Sequence, residues 1–231
     1  MLGICIPVHN EETDIQACLD SVIEAAHCPR LAGERVLVSL VLDDCSDASA
    51  AIARGVMQRH RGLAHCRLAL LPVALRNVGR ARAQASRYAL GHGARWLAFT
   101  DADSTVSRDW LAEQLALDCD VVCGTVSVRP GDWLACGAHA DLARQTFLAG
   151  YEDRDGHRHV HGANLGMSAR IYQASGGFRA LACGEDQQLV DRLGRMGARI
   201  AWSARPRVQT SGRMRSRIDG GFATALGRAA A

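Results

Sequence analysis

The chain contains no lysine: all 27 of its basic residues are arginine, set against 24 acidic residues. With alanine so abundant, this reads as a coding bias toward GC-rich codons and carries little functional weight. The net charge of +3 is too small to imply a nucleic-acid partner. Proline is scarce, at 5 of 231 residues, and 48% of the chain is apolar, which excludes a disordered chain. No apolar run reaches the ~20 residues of a membrane-spanning helix. The opening residues, Met1 to Pro7, lack the charged start and long apolar stretch of a signal peptide and read as a core strand. The 9 cysteines are odd in number and include no Cys-x-x-Cys, which argues against a disulfide framework. Cys5, Cys18 and Cys66 fall in apolar segments as small hydrophobes, and Cys119 and Cys123 lack the second pair a zinc site needs. The expected compartment is the reducing cytoplasm. No repeat or low-complexity linker interrupts the chain. No Gly-x-Gly-x-x-Gly follows the first strand, which excludes a nicotinamide-dependent dehydrogenase.

What is present is an alternation of strands and helices. Leu2 to Val8, Arg35 to Leu42, Arg67 to Leu71 and Ala94 to Phe99 read as buried strands. Between them, Ile15, Leu19, Val22 and Ile23 recur at helical spacing, Asp47 can cap a helix over Ala48 to Arg59, and Val78 to Leu90 is an Ala/Arg-rich helix. The fold class is therefore α/β: one domain with a central, mostly parallel sheet flanked by helices. The second half is less regular. It reads as helices over Asp109 to Leu117, Trp133 to Tyr151 and Asp186 to Met196, and strands over Asp120 to Val128, Gly162 to Met167 and Arg199 to Trp202. Glu152 to His161, charged and His-rich, reads as a mobile loop, and Arg213, Arg215 and Arg217 mark a basic tail.

The densest chemistry lies at Thr100-Asp101-Ala102-Asp103, where the fourth strand ends in two carboxylates. Open α/β sheets bind ligands at such strand ends. If the backbone stays extended, residues two apart point the same way and both carboxylates converge on one point. Two hard oxygen ligands there suit Mg²⁺ or Mn²⁺ holding a diphosphate.

Three further segments fall at strand ends or turns in order: Ile6-Pro7-Val8-His9-Asn10-Glu11-Glu12, Val41-Leu42-Asp43-Asp44-Cys45-Ser46-Asp47, and Gly184-Glu185-Asp186. With Asn77-x-Gly79-Arg80, Gly162-Ala163-Asn164-Leu165 and the Gly-Gly-Phe turn ahead of Glu185, they resemble the inverting family-2 glycosyltransferases of the GT-A fold over roughly residues 2 to 202. The resemblance implies a Rossmann-like nucleotide-binding half over about 1–105, an irregular acceptor and catalytic half over about 106–212, and the tail at 213–231. It implies a UDP- or GDP-linked sugar donor, contacted by Pro7, His9, Glu11, Asp44, Arg80, Asp101 and Ala102. Asp44 could accept from a base N–H, His9 stands where a stacking aromatic is often found, and Arg80 would face the diphosphate. Gln84 and Ala85 depart from the Arg and Asn often seen just downstream. The resemblance makes Asp103 the direct metal ligand, with Asp101 on the ribose or a metal-bound water. Asp186 is its general base, and Asn164 and Glu185 lie on the acceptor side, Glu185 binding the acceptor or supporting the loop.

No histidine follows His161 to serve as a third metal ligand, so either water or one of His157, His159 and His161 completes the shell, with water favoured. The arginine tail could close over the diphosphate, meet a lipid phosphate or anionic membrane surface on the inner face, or simply be exposed. The acceptor is unspecified. The chain's length argues against a processive synthase with its own membrane channel. A nucleotidyltransferase would show a Gly-rich basic signature near the start, and none is visible. A non-catalytic sugar-nucleotide binding module is the remaining alternative, and it would be expected to lose Asp103 or Asp186.

Overall fold

The apolar run that opens the chain forms strand β1 (Leu2–Val8), with every residue but Pro7 buried. Its side chains alternate between two cores, Leu2, Ile4, Ile6 and Val8 entering one and Cys5 the other. The fold is that of a computed structural model, which describes residues 1–133, 140–181 and 183–212. Within them run helix α1 (Ile15–Ala26), strand β2 (Val36–Asp43), α2 (Ser49–Arg59), β3 (Cys66–Val73), α3 (Val78–Gly91), β4 (Trp96–Phe99), β5 (Ser104–Val106) and α4 (Trp110–Ala116). They continue with β6 (Val121–Val128), α5 (Ala140–Gly150), β7 (Leu165–Ser168), α6 (Ala169–Ala174), α7 (Glu185–Arg195) and β8 (Ile200–Thr210).

The strands form one mixed sheet in the order β3-β2-β1-β4-β7-β6-β8-β5. The β3-β2, β2-β1 and β1-β4 pairs are parallel, as the strand–helix alternation of the first hundred residues requires. Beyond β4 the sheet changes character. β7 runs antiparallel to both β4 and β6, while β8 runs parallel to β6 and antiparallel to β5. Helices α1, α2 and α4 bury their apolar faces on one side of the sheet, and α3, α6 and α7 on the other. α3 shows how the Ala-rich composition is used: Ala81, Ala85 and Ala89 are buried along one stripe. That stripe lies so close to β1 that a Cβ on Gly3 would come within 2.8 Å of the Ala89 side chain. No helix among the described residues is long and apolar enough to cross a membrane. The eight cysteines among them are all free, and burial pushes the thiols of Cys5 and Cys66 up to about 12.

Several expectations for the second half change. β5 and α6 are absent from the sequence reading, and β8 extends eight residues beyond Trp202, to Thr210. Between Gly124 and Thr125 the β6-β8 register shifts, so that Ser203 pairs with Gly124 but Arg207 with Thr125. Pro206 falls in this irregularity, where no ladder hydrogen bond is asked of it. The helix expected over Trp133 to Tyr151 is described from Ala140 to Gly150. Residues 134–139 and the arginines at 213, 215 and 217 lie outside the described residues.

Within the His-rich stretch residues 152–156 and Arg158 are exposed, but the three histidine rings are packed. His157 is fully buried, its ring edge-on to Trp202 at 5.9 Å, and His159 stacks on Tyr151 at 4.3 Å. Asp155 accepts from Ser203 Oγ (2.7 Å) and the Ala204 amide (2.8 Å), fastening the loop to β8. Long-range contacts with β8, invisible in a local pattern, hold these polar residues in place.

Candidate active site

The ends of β1, β2 and β4 present their loops beside the first turns of α3 and α7. β4 stops at Phe99, and the chain reverses through a turn in which the Ser104 amide donates to the Asp101 carbonyl at 3.1 Å. The expected extended backbone is thus replaced by a turn, because the chain must fold back to pair β5 with β8. Asp101 and Asp103 are both partly exposed, while Ala102 between them is buried in the core and can offer a ligand only its backbone. Asp103 Oδ1 accepts from Ser104 Oγ at 3.3 Å.

Asp101 is not free to act alone. Arg82, buried on α3, donates through Nη2 to Asp101 Oδ1 at 2.5 Å and through Nη1 to Glu185 Oε1. One guanidinium therefore ties the end of β4 to the start of α7. Burial works against its charge, but Asp101, Glu185 and Asp186 together outweigh burial and raise its pKa. Glu185 is also buried, and that burial lifts its carboxyl above the usual range despite Arg82. Of the two roles open to Glu185, support of the loop matches this geometry. An acceptor could reach the carboxylate only by displacing Arg82. The guanidinium also packs flat against Gly162, where a Cβ would fall 2.3 Å from Nη2. The sequence reading missed Arg82 and singled out Arg80, which is exposed on the first turn of α3.

Asp186 is partly exposed in the first turn of α7, after Gly184 takes a left-handed conformation (φ 70°). Its Oδ2 accepts from the Gly162 amide at 2.7 Å and its Oδ1 from the Gln187 amide at 2.8 Å. Two backbone donors fix the carboxylate's orientation and leave lone pairs on both oxygens.

Asn164 is a correction. It is fully buried: its Nδ2 donates to the carbonyls of Thr125 (2.6 Å) and Pro206 (3.0 Å), and its Oδ1 accepts from Trp110 Nε1 (2.9 Å). It plugs the register shift between β6 and β8 and is not an acceptor contact.

Around the ends of β1 and β2 three non-glycine residues adopt left-handed backbone: Asn10 (φ 55°), Asp44 (φ 52°) and Arg76 (φ 47°). Such strain gathers where surrounding structure over-determines it, often at functional sites. Buried Asp43 supplies part of that constraint. It accepts from the amides of Leu75 (2.5 Å), Arg76 (2.9 Å) and Asn77 (3.2 Å), while Asn77 caps α3 through the Arg80 amide. Asp43 is thus a loop anchor; Asp47 serves the start of α2, accepting from the Ser49 amide at 3.0 Å. Asp44 is left facing outward, paired with Arg76 at 2.5 Å. Exposed His9 donates from Nδ1 to the Asp43 carbonyl at 2.6 Å, which orients its ring beside Asp44. Pro7 is half-buried, and Glu11 is buried with its amide donating to Ser49 Oγ at 2.7 Å.

Asp101 and Asp103 fit a hard divalent cation as a minimal donor set. Among the described residues, no group of three His, Cys, Asp or Glu side chains could hold a metal. Mg²⁺ in particular takes one or two carboxylates and fills its other positions with water and phosphate oxygens. His157, His159 and His161 are committed to packing around Tyr151 and Trp202.

Burial, with His159 and His157 nearby, pushes His161 down to about 3, against a smaller opposing pull from Asp101. This has a consequence for stability. Between the ordinary histidine value and about 3, the unfolded chain binds a proton that the native chain refuses. Stability contributed by neutral His161 is therefore complete above pH ~6.5 and falls as pH drops, by about 1.4 kcal/mol per pH unit. Urea melts from pH 7 to 4 should show a shallower fall for His161→Gln than for the parent. Parallel curves would refute the assignment.

The mixed sheet with its flanking helices is the fold of the GT-A glycosyltransferases. The chain belongs to glycosyl transferase family 2, whose model matches residues 3–176. No curated protein matches it in sequence. Solved structures carry the likeness of fold. S. aureus TarS 1–349 in complex with UDP is 16% identical with a TM-score of 0.64, over 91% of this chain and 61% of that one. Mannosyltransferase PcManGT from Pyrobaculum calidifontis, in complex with GDP-Man and Mn²⁺, is 21% identical with a TM-score of 0.66, over 93% and 58%. GalNAc-T7 with UDP, GalNAc and Mn²⁺ is 14% identical with a TM-score of 0.65, over 95% and 44%. The chain thus spans 44–61% of the length of these proteins.

Proposed function

We propose that this chain transfers a sugar from a UDP- or GDP-linked donor to an acceptor hydroxyl, with inversion at the anomeric carbon. The observation that carries the reading is the Arg82 bridge, which ties Asp101 at the end of β4 to Glu185, the residue before Asp186, at the start of α7. In this reading, residues 1–105 hold the donor and 106–212 carry the acceptor side. His9 lies along the base and Asp44 accepts from its edge, which requires Asp44 to exchange Arg76 for the nucleotide. Asp103 and Asp101 would hold Mn²⁺ or Mg²⁺, which neutralises the charge developing on the diphosphate as it leaves.

Asp186 takes the proton of the acceptor hydroxyl as that oxygen attacks the anomeric carbon. A carbon–oxygen bond to the acceptor forms while the bond to the diphosphate breaks, and the diphosphate departs with the bonding pair. Attack from the face opposite the leaving group inverts the centre.

The direct test is nucleotide binding. Asp103→Ala gives up the long 3.3 Å bond from Ser104 Oγ but should still fold, because its carboxylate is partly exposed, and should lose the Mn²⁺-dependent part of its affinity for UDP and GDP. Asp103→Asn should fail likewise, because a neutral amide does not replace the charge a cation needs. Calorimetry showing equal Mn²⁺-dependent affinity in Asp103→Ala and the parent would overturn the reading.

A further inference from the structure

The stretch from 151 to 161 contains polar side chains that the reaction above leaves unused. Tyr151 is sandwiched between Phe147, stacked at 4.9 Å, and His159, stacked at 4.3 Å. Its hydroxyl accepts from the Val126 amide on β6 at 2.7 Å and contacts His161 Nε2 at 2.9 Å. The Val126 amide engages one lone pair of the hydroxyl, and the hydroxyl proton is available to Nε2 in the Nδ1–H tautomer of His161. The next residue, Gly162, is the one whose amide donates to Asp186 Oδ2.

The turn that carries this amide is pinned at three points. At its start, the His161 ring is held by Tyr151. At its end, the Asn164 amide donates to the His161 carbonyl at 2.9 Å, and the buried Asn164 side chain is locked into β6 and β8. In the middle, Arg82 presses on Gly162 with no room for a Cβ. The Gly162 amide is left pointing at Asp186.

We infer that Tyr151 and His161 are positioning residues for Asp186: the tyrosine hydroxyl holds the histidine ring, and the ring sets the Gly162 amide that orients the carboxylate. The inference rests on the reading of Asp186 as the base, but its geometry can be tested separately. Small displacements of a reacting group, of the order of 1 Å, can cost about 10²-fold in rate. The relay explains why the histidine rings of this loop are packed while residues 152–156 stay exposed. The hydroxyl-to-ring bond defines one ring orientation, which dispersion contacts alone would not.

The experiment is hydrogen exchange at the Gly162 amide of the full chain, followed by NMR, beside calorimetric affinity for UDP and GDP with Mn²⁺. Tyr151→Phe keeps the stack and removes only the hydroxyl, so Gly162 exchange should accelerate about 10-fold while nucleotide affinity holds. His161→Phe should do the same. His161→Gln, whose side-chain oxygen can accept near the Nε2 position, should restore most of the protection. Val56→Ala, a cavity beneath α2, should lower the melting temperature without changing Gly162 exchange; a merely structural role for Tyr151 would behave like that variant. Once an acceptor is in hand, Tyr151→Phe should lower kcat about 10-fold and leave the donor KM unchanged. Unchanged Gly162 exchange in folded Tyr151→Phe overturns the relay. If Tyr151→Phe fails to fold, equal exchange in His161→Phe and His161→Gln overturns it instead. Normal transfer by Asp186→Asn would remove the base reading while leaving the Gly162 result to stand by itself.

Discussion

Asp186→Asn is expected to bind UDP or GDP with Mn²⁺ about as tightly as the parent and to transfer sugar about 10²–10⁴-fold more slowly. The asparagine has the shape of aspartate, and its carbonyl oxygen can still accept from the Gly162 amide; it gives up only the bond from the adjacent Gln187 amide, so the turn at 161–164 and the start of α7 should persist. What disappears is the capacity to take a proton. Because that capacity is used only as the acceptor attacks, the loss falls on turnover and not on donor affinity. Asp186→Ala should lose more, since it also leaves the Gly162 amide without its partner. The measurement needs a screen of UDP- and GDP-sugars with cell extract as the acceptor source, products read by mass spectrometry. Near-normal transfer by Asp186→Asn would take the residue out of the mechanism. Tight donor binding by the parent, with no transfer to any acceptor and no donor hydrolysis, would favour the non-catalytic binding module.

Much of the donor half was legible because its signals are local. Leu, Ile and Val runs bounded by polar turns mark β1 to β3, and the carboxylate pair directly after Phe99 marks the end of β4. The acceptor half was less so, because what forms it is not local. β5 is three residues long and exists through pairing with β8 more than a hundred residues later. The alternation over Arg205, Pro206 and Arg207 gives little apolar signal, so the length of β8 is set by β6 beside it. Asn164 looked like a site residue because it lies in a motif beside glycine. Its place is set by a register shift that no spacing reveals.

Arg82 is the instructive omission. On an Ala-rich helix an arginine reads as solvated. A signal was nevertheless there. Ala81, Ala85 and Ala89 define the buried stripe of α3, and Arg82 borders it with Ser86, one turn on, so both must be buried. A buried arginine demands carboxylates, and the chain offers Asp101 and Glu185 at the ends of neighbouring elements.

Removing that arginine carries the largest expected effect on stability. Arg82→Met keeps most of the apolar stem but leaves buried Glu185 and half-buried Asp101 without their shared cation, and breaking a buried pair on one side costs about 3–5 kcal/mol. Arg82→Lys should recover little. One ammonium cannot reproduce the planar fork that donates to two carboxylates at once. Adding Glu185→Gln to Arg82→Met should return a substantial part of the loss, because the second change removes the charge that the first left uncompensated; the double-mutant cycle measures their coupling. The pH dependence has a definite sign. Burial already raises the Glu185 carboxyl above its unfolded value. Without Arg82 that shift grows, so the native state holds a proton the unfolded chain gives up. The Arg82→Met deficit should therefore be smallest in mild acid and widen as pH rises past the ordinary glutamate value. Urea unfolding of the parent, the two single Arg82 variants and the double variant at pH 5 and pH 8 checks all of this. A deficit below about 1 kcal/mol for Arg82→Met at pH 8, or parental stability in Arg82→Lys, would show that the two carboxylates are held and compensated by something other than this guanidinium.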